Sequence, residues 1–127
     1  MLVKIVRNAL GLIIVGADKI SRPRAMVRSE EAQASLSRAL SGHSLYQLFA
    51  CPFCVKTRRA MHRLNIDLET RDVGRDTSHR AALQAGGGRV KVPCLRIDRD
   101  GETQWMYESD DIIAYLENQA RVAGSTN

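Results

Sequence analysis

Cys51 and Cys54, separated only by Pro52 and Phe53, are the residues of this sequence best suited to chemistry. A C-x-x-C pair fits thiol–disulfide exchange, in which one accessible thiolate attacks a disulfide and a nearby second thiol resolves the mixed disulfide. A cysteine just ahead of a helix meets unpaired backbone N–H groups and the positive end of the dipole. Such settings lower a thiol pKa from about 8.5 into the range of roughly 3.5 to 7.5. Pro52 suits the first helical position, where its missing N–H is no loss. Cys51 is therefore expected as the nucleophile and Cys54, one turn in, as the buried resolving thiol. Half of a zinc site is the other chemistry open to the motif. A closed zinc site wants four ligands, and Cys94, His43, His62 and His79 are scattered, with no second C-x-x-C. No metal is expected.

Two weaker signals follow. Val92-Pro93 puts a proline where a strand should continue, which fits either a cis bond at a tight turn or a trans proline on an edge strand. With a cis bond, the Val92 backbone N–H and C=O would turn outward beside the CPFC turn, open to an extended peptide. Glu108-Ser109-Asp110-Asp111 opens an apolar-periodic stretch. Its free N–H groups and the Ser109 hydroxyl suit a ligand carboxylate, and a neighbouring acid suits an ammonium; simple serine capping is the alternative.

The elements that would carry these residues alternate. Strands are predicted over Ser44–Ala50, Ile66–Val73, Val90–Ile97 and Thr103–Tyr107, the last two joined at Asp98-Arg99-Asp100-Gly101 as a hairpin. Helices are predicted over Pro52–Leu64, over Thr77–Gln84 (closed by Gly86-Gly87-Gly88) and over Ser109–Asn118. The order is β-α-β-α-β-β-α, an α/β domain over residues 43–120 with a frayed tail at 121–127. Cys94 alternates away from the face that Pro93 presents, so a buried, inert thiol is expected there.

Residues 1–42 form an apolar and basic helical arm ahead of that domain. The apolar run from Ala9 to Ala17 is far short of the roughly 20 residues a spanning helix needs. On a helical projection Lys4, Arg7 and Asn8 share a face with Gly11 and Asp18, leaving a wide apolar remainder. An interfacial helix against anionic lipid is the reading taken, with residues 1–28 touching the membrane. A signal peptide cut near Val15-Gly16-Ala17 and a helix packed on its own domain are the alternatives. Ser29-Glu30-Glu31 then caps a connecting helix that Gly42 closes, with no chemistry in it.

Charge agrees with this division. Residues 1–42 carry seven Lys/Arg against three acids, and the other 85 carry twelve against eleven. The 5% aromatic content leaves few stacking platforms, so no nucleic-acid partner is expected. Three cysteines make no disulfide framework, which points to a reducing compartment: the cytoplasm, at the inner face of the membrane.

Taken together, CPFC after a first strand, VPCL after a glycine run and YESDDI opening the last helix resemble the glutaredoxins. The nearest are those whose glutathione site is similar to the N-terminal domain of glutathione transferases. The resemblance spans about Leu45 to Leu116. It implies a thioredoxin-like fold, glutathione as cofactor, and reduction of protein disulfides and glutathionylated proteins by Cys51 and Cys54. It further implies that Phe53, Val92, a cis Pro93, Glu108, Ser109 and, less directly, Asp110 contact glutathione. Many glutaredoxins carry a basic residue just before the motif for the glycyl carboxylate. Here Gln47, Leu48 and Phe49 stand there, leaving Lys56, Arg89 or Lys91 as substitutes. Two other roles remain open: glutathione transfer to an electrophile, and a glutathione-ligated iron–sulfur carrier. Against the first, transferases use an all-helical second domain. The second goes mostly with a CGFS-type motif.

Overall fold

A computed structural model describes the backbone over residues 2–21 and 25–125, and the side chains over 8–17 and 25–123. The basic stretch expected over 21–28 lies outside these residues at positions 22–24. Among the described residues nine elements follow in the order α1 (Leu2–Ser21), α2 (Glu30–Ala39), β1 (His43–Gln47), α3 (Pro52–Arg63), β2 (Glu69–Asp72), α4 (Thr77–Gly87), β3 (Cys94–Arg99), β4 (Glu102–Tyr107) and α5 (Ser109–Ser125).

The strands form one sheet in the order β2-β1-β3-β4, with β1 parallel to β2 and antiparallel to β3, and β3 antiparallel to β4. Parallel pairing of β1 and β2 needs a crossover, which α3 supplies. Period-two alternation sends Leu45, Leu95 and Ile97 to one face, where they meet Met61 and Leu64 of the α3 end and Ile112 and Leu116 of α5. Tyr46 and Cys94 go to the other face and meet Leu83 of α4, Trp105 and Tyr107. This is the thioredoxin-like α/β fold expected.

Several elements differ from expectation. The first strand stops at Gln47, because Leu48–Ala50 leave the sheet to enter the α3 turn. The third begins only at Cys94, past Pro93, which has no N–H to give a ladder. The last helix, expected to end at Asn118, runs on to Ser125 through the first part of the tail expected to fray from 121, since Ala120 and Ala123 are buried in the main core. The second helix is more than a connector: Leu36 and Leu40 belong to that core, and Ser29 caps it by accepting the Ala32 N–H at 3.1 Å.

The glycine run also has a different job. Gly86 and Gly87 lie inside α4, and only Gly88, at φ 91°, is its left-handed cap. A Cβ at Gly86 would run into the Trp105 indole, and one at Gly87 into the Tyr107 hydroxyl. Small residues there let α4 lie against β4.

The arm is docked at two points. Gly11 and Val15 of α1 are buried against the domain, and a Cβ on Gly11 would sit 2.6 Å from the Ala50 carbonyl oxygen. Arg28 donates to Leu64 O at 2.6 Å and to Asn65 O at 3.3 Å, carbonyls at the C-terminal end of α3, where a cation also suits the helix dipole. Met26 N–H adds a bond to Arg63 O at 2.9 Å.

Candidate functional site

Register alone gathers the expected residues. Cys94 pairs with Tyr46 on one side and with Tyr107 on the other. The end of β1, the start of β3 and the end of β4 therefore lie at one edge of the sheet. The segments just beyond them, Cys51–Cys54, Val92-Pro93 and Glu108–Asp110, share that edge.

Cys51 is the N-cap of α3, with extended backbone, and Pro52 takes the first helical position. Its carbonyl accepts the Val55 N–H at 2.9 Å. The thiol is half-buried and its pKa is pulled down to about 6. The Cys54 thiol donating to it is the largest cause; the Cys54 and Phe53 backbone N–H groups and the Arg58 charge add to it, against the opposing effect of burial. Cys54 is fully buried, and its proton is held by that same hydrogen bond and by burial, so its pKa is pushed up. One accessible thiolate above one buried thiol is the pairing that exchange chemistry requires. Phe53 is 61% exposed and stands over the turn as an open aromatic face.

The Val92-Pro93 peptide bond is cis, with Pro93 buried and Val92 half-buried. Glu108 precedes α5 in a left-handed conformation, φ 72°, a region uncommon for a side chain this long. Its carbonyl accepts the Ile112 N–H at 3.1 Å, so the cap falls on Glu108 and Ser109 is the first helical residue, nearly buried. The Glu108 carboxyl lies below the usual range because Lys91 donates to it at 2.6 Å. Asp110, exposed, takes the Lys56 ammonium.

Of the three basic residues offered for a carboxylate, Lys56 and Lys91 are thus tied to acids at the same edge. Arg89 lies over the Tyr107 ring, 4.5 Å from its centre.

Sequence reasoning missed Arg58. It donates to Gln47 Oε1 at 2.7 Å and Phe49 O at 2.5 Å, bracing the turn that leads into Cys51. Its spacing of seven from Cys51 puts it two helical turns on, along the same face, which was the signal available. Cys94 is fully buried among Tyr46, Leu83 and Tyr107, and burial is the main cause that raises its thiol to about 11. His43, His62 and His79 lie on three different elements. Among the described residues no group of three or more His, Cys, Asp or Glu is placed to hold a metal.

Two concavities lie elsewhere. One of about 370 Å³ includes Ser41, Ser44 and Arg71, and one of about 600 Å³ lies between Met26, the α3 end and α5.

The chain thus has a thioredoxin-like domain with a paired-thiol turn, a cis proline and an acid–serine helix start. The profile of the glutathione S-transferase N-terminal domain matches residues 50–119, more than half of the chain. The chain belongs to that family, whose name carries the ligand expected from the sequence. Three crystal structures of maleylacetoacetate isomerase from Anaeromyxobacter dehalogenans are similar over 62% of this chain. The one with glutathione in its active site has 23% identity and a TM-score of 0.48, with 38% of that chain covered. A second has 24% identity, a TM-score of 0.46 and 36% covered. The third, holding dicarboxyethyl glutathione and citrate, has 25%, 0.47 and 37%. The chain spans less than two fifths of the length of those isomerases. No curated protein sequence matches it.

Proposed function

We propose that the protein is a glutathione-dependent thiol–disulfide oxidoreductase of glutaredoxin type, acting on protein disulfides and glutathionylated proteins. The observation that carries this reading is the Cys51 thiol, half-exposed at a helix start and lowered to about 6, above the buried Cys54. At neutral pH it is a thiolate, the form that attacks sulfur.

In the monothiol route Cys51 attacks the glutathione sulfur of a mixed disulfide. A bond forms between Cys51 and that sulfur, the protein–sulfur bond breaks, and the released protein thiolate takes a proton. A second glutathione thiolate then attacks the same glutathione sulfur. Oxidised glutathione leaves and Cys51 is a thiolate again. In the dithiol route Cys51 attacks a protein disulfide and Cys54 displaces the second substrate thiol, leaving a Cys51–Cys54 disulfide that two glutathiones reduce. Glutathione lies across the edge described above. Val92 meets its cysteinyl backbone, Pro93 and Phe53 flank the sulfur, and the γ-glutamyl end takes Ser109 and the α5 start with its carboxylate. Glu108, helped by Asp110, receives the ammonium. Each partner matches the ligand group in charge.

A second reading, glutathione transfer to an electrophile, is favoured by the family match alone. One experiment separates them: glutathione-coupled reduction of a glutathionylated peptide by wild type, Cys51→Ser and Cys54→Ser. Cys51→Ser should lose all activity above background while Cys54→Ser keeps it. If Cys51→Ser keeps full activity, or conjugates an aryl halide while no variant reduces the peptide, the redox reading falls.

A further inference from the structure

We propose that α1 is an in-plane lipid anchor that rides on the domain by its glycine face and presents its aliphatic face to an anionic membrane surface. A surface helix ordinarily turns its apolar side inward. Within residues 8–17 this helix has apolar residues on its outer side as well. Gly11 and Val15 are the buried positions, whereas Leu10, Leu12 and Ile13 are 54%, 60% and 65% exposed. Among the residues whose side chains are described, the sector opposite Gly11 and Val15 holds only apolar residues, among them Ala9, Leu10, Leu12 and Ile13. The sequence expectation offered an interfacial helix and a helix packed on its own domain as rivals. Here one helix has a face for each.

Three observations favour lipid as the occupant of the outer face. Residues 9–17 (ALGLIIVGA) carry no side chain able to hydrogen-bond and no aromatic ring, so nothing there would fix the register of a protein partner. A lipid surface needs neither. Residues 1–25 carry five Lys/Arg against Asp18 alone, which complements anionic headgroups. No described helix is long and apolar enough to cross a membrane, so the placement is in the plane.

The docking points orient the whole domain. Gly11 touches Ala50, the residue before Cys51, and α1 packs along α3. The site edge is therefore held about one helix diameter, roughly 10–12 Å, from the headgroups. On the redox reading above, that favours thiols at the surface of membrane proteins.

The test is co-sedimentation of the full chain with phosphatidylglycerol–phosphatidylcholine vesicles at low and high salt. Leu10→Glu and Ile13→Glu are run alongside, with circular dichroism to show that each folds. Wild type should sediment at low salt and less at high salt, and each variant should lose about tenfold or more in partitioning. Wild type remaining in the supernatant at low salt would overturn the proposal. So would sedimentation that both variants leave unchanged, or binding to pure phosphatidylcholine as strong as to the anionic mixture. If wild type instead forms a concentration-dependent dimer that the variants abolish, without binding vesicles, the face is a contact between copies and the lipid proposal fails. Peptide reduction in detergent-free buffer, unchanged in folded Ile13→Glu, keeps this result separate from the redox reading.

Discussion

Cys51 and Cys94 lie near the same edge of one sheet and differ by about five pH units in the ease of losing a proton. Both have neighbours rich in aromatic rings and arginines. The difference lies in donors. Cys51 faces the open start of α3, where the Cys54 thiol above all, then the backbone N–H groups and Arg58, favour a negative sulfur. Cys94 is sealed between α4 and the sheet, where burial outweighs its contacts with Tyr107 and Arg89. Position in the fold does not by itself make a thiol reactive; donors aimed at the sulfur do, the Cys54 thiol first and the helix start behind it.

The largest expected effect tests this contrast directly. With iodoacetamide, the Cys51 alkylation rate should rise with pH, reach half its plateau at about 6 and level off roughly one unit higher, because the thiol is half ionised at its lowered pKa. At pH 7 the thiolate fractions of Cys51 and Cys94 differ by about four orders of magnitude, given values near 6 and 11. Mass mapping that found both thiols labelled at similar rates would end the comparison.

A smaller effect tests what keeps Cys94 silent. Gly86→Ala pushes a methyl into Trp105 and should destabilise the domain by about 1–3 kcal/mol, read by urea unfolding through the fluorescence of Trp105, the single tryptophan. Cys94 labelling should rise as α4 loosens, while the Cys51 pH midpoint stays in place. A variant as stable as wild type would mean that α4 is free to shift away.

The smallest effect concerns Arg58. Arg58→Met should move the Cys51 midpoint upward by up to about one pH unit, with Arg58→Lys shifting it less because the charge remains. A midpoint unmoved in both variants leaves Arg58 as a brace for the Gln47–Phe49 turn and nothing more.

What could be read from the sequence was local. Cys51, Pro52 and Cys54 define their own helix start, so their geometry follows from four consecutive residues and a helix rule. The cis Pro93 and the α5 start at Ser109 were legible once the three motifs were taken in order. What escaped depended on partners distant in the chain. That Gly86 and Gly87 serve packing is visible only after β4 sets Trp105 and Tyr107 opposite them. Lys91 finds Glu108 only because β3 and β4 form a hairpin that returns the chain to the same edge. The length of α5 followed from burial of Ala120 and Ala123, small residues that show little apolar periodicity by themselves.

The lysines at the site edge carry one more consequence. Lys91 already neutralises Glu108, and Lys56 neutralises Asp110, both in solvent. On the glutathione placement proposed above, a ligand ammonium arriving at Glu108 would exchange one cation for another instead of meeting a bare carboxylate. Added salt screens the pair that is lost as well as the pair that is gained. On that placement, recognition at the carboxylate would be buffered against changes in ionic strength, and the displaced lysine would become a mobile positive charge at the rim.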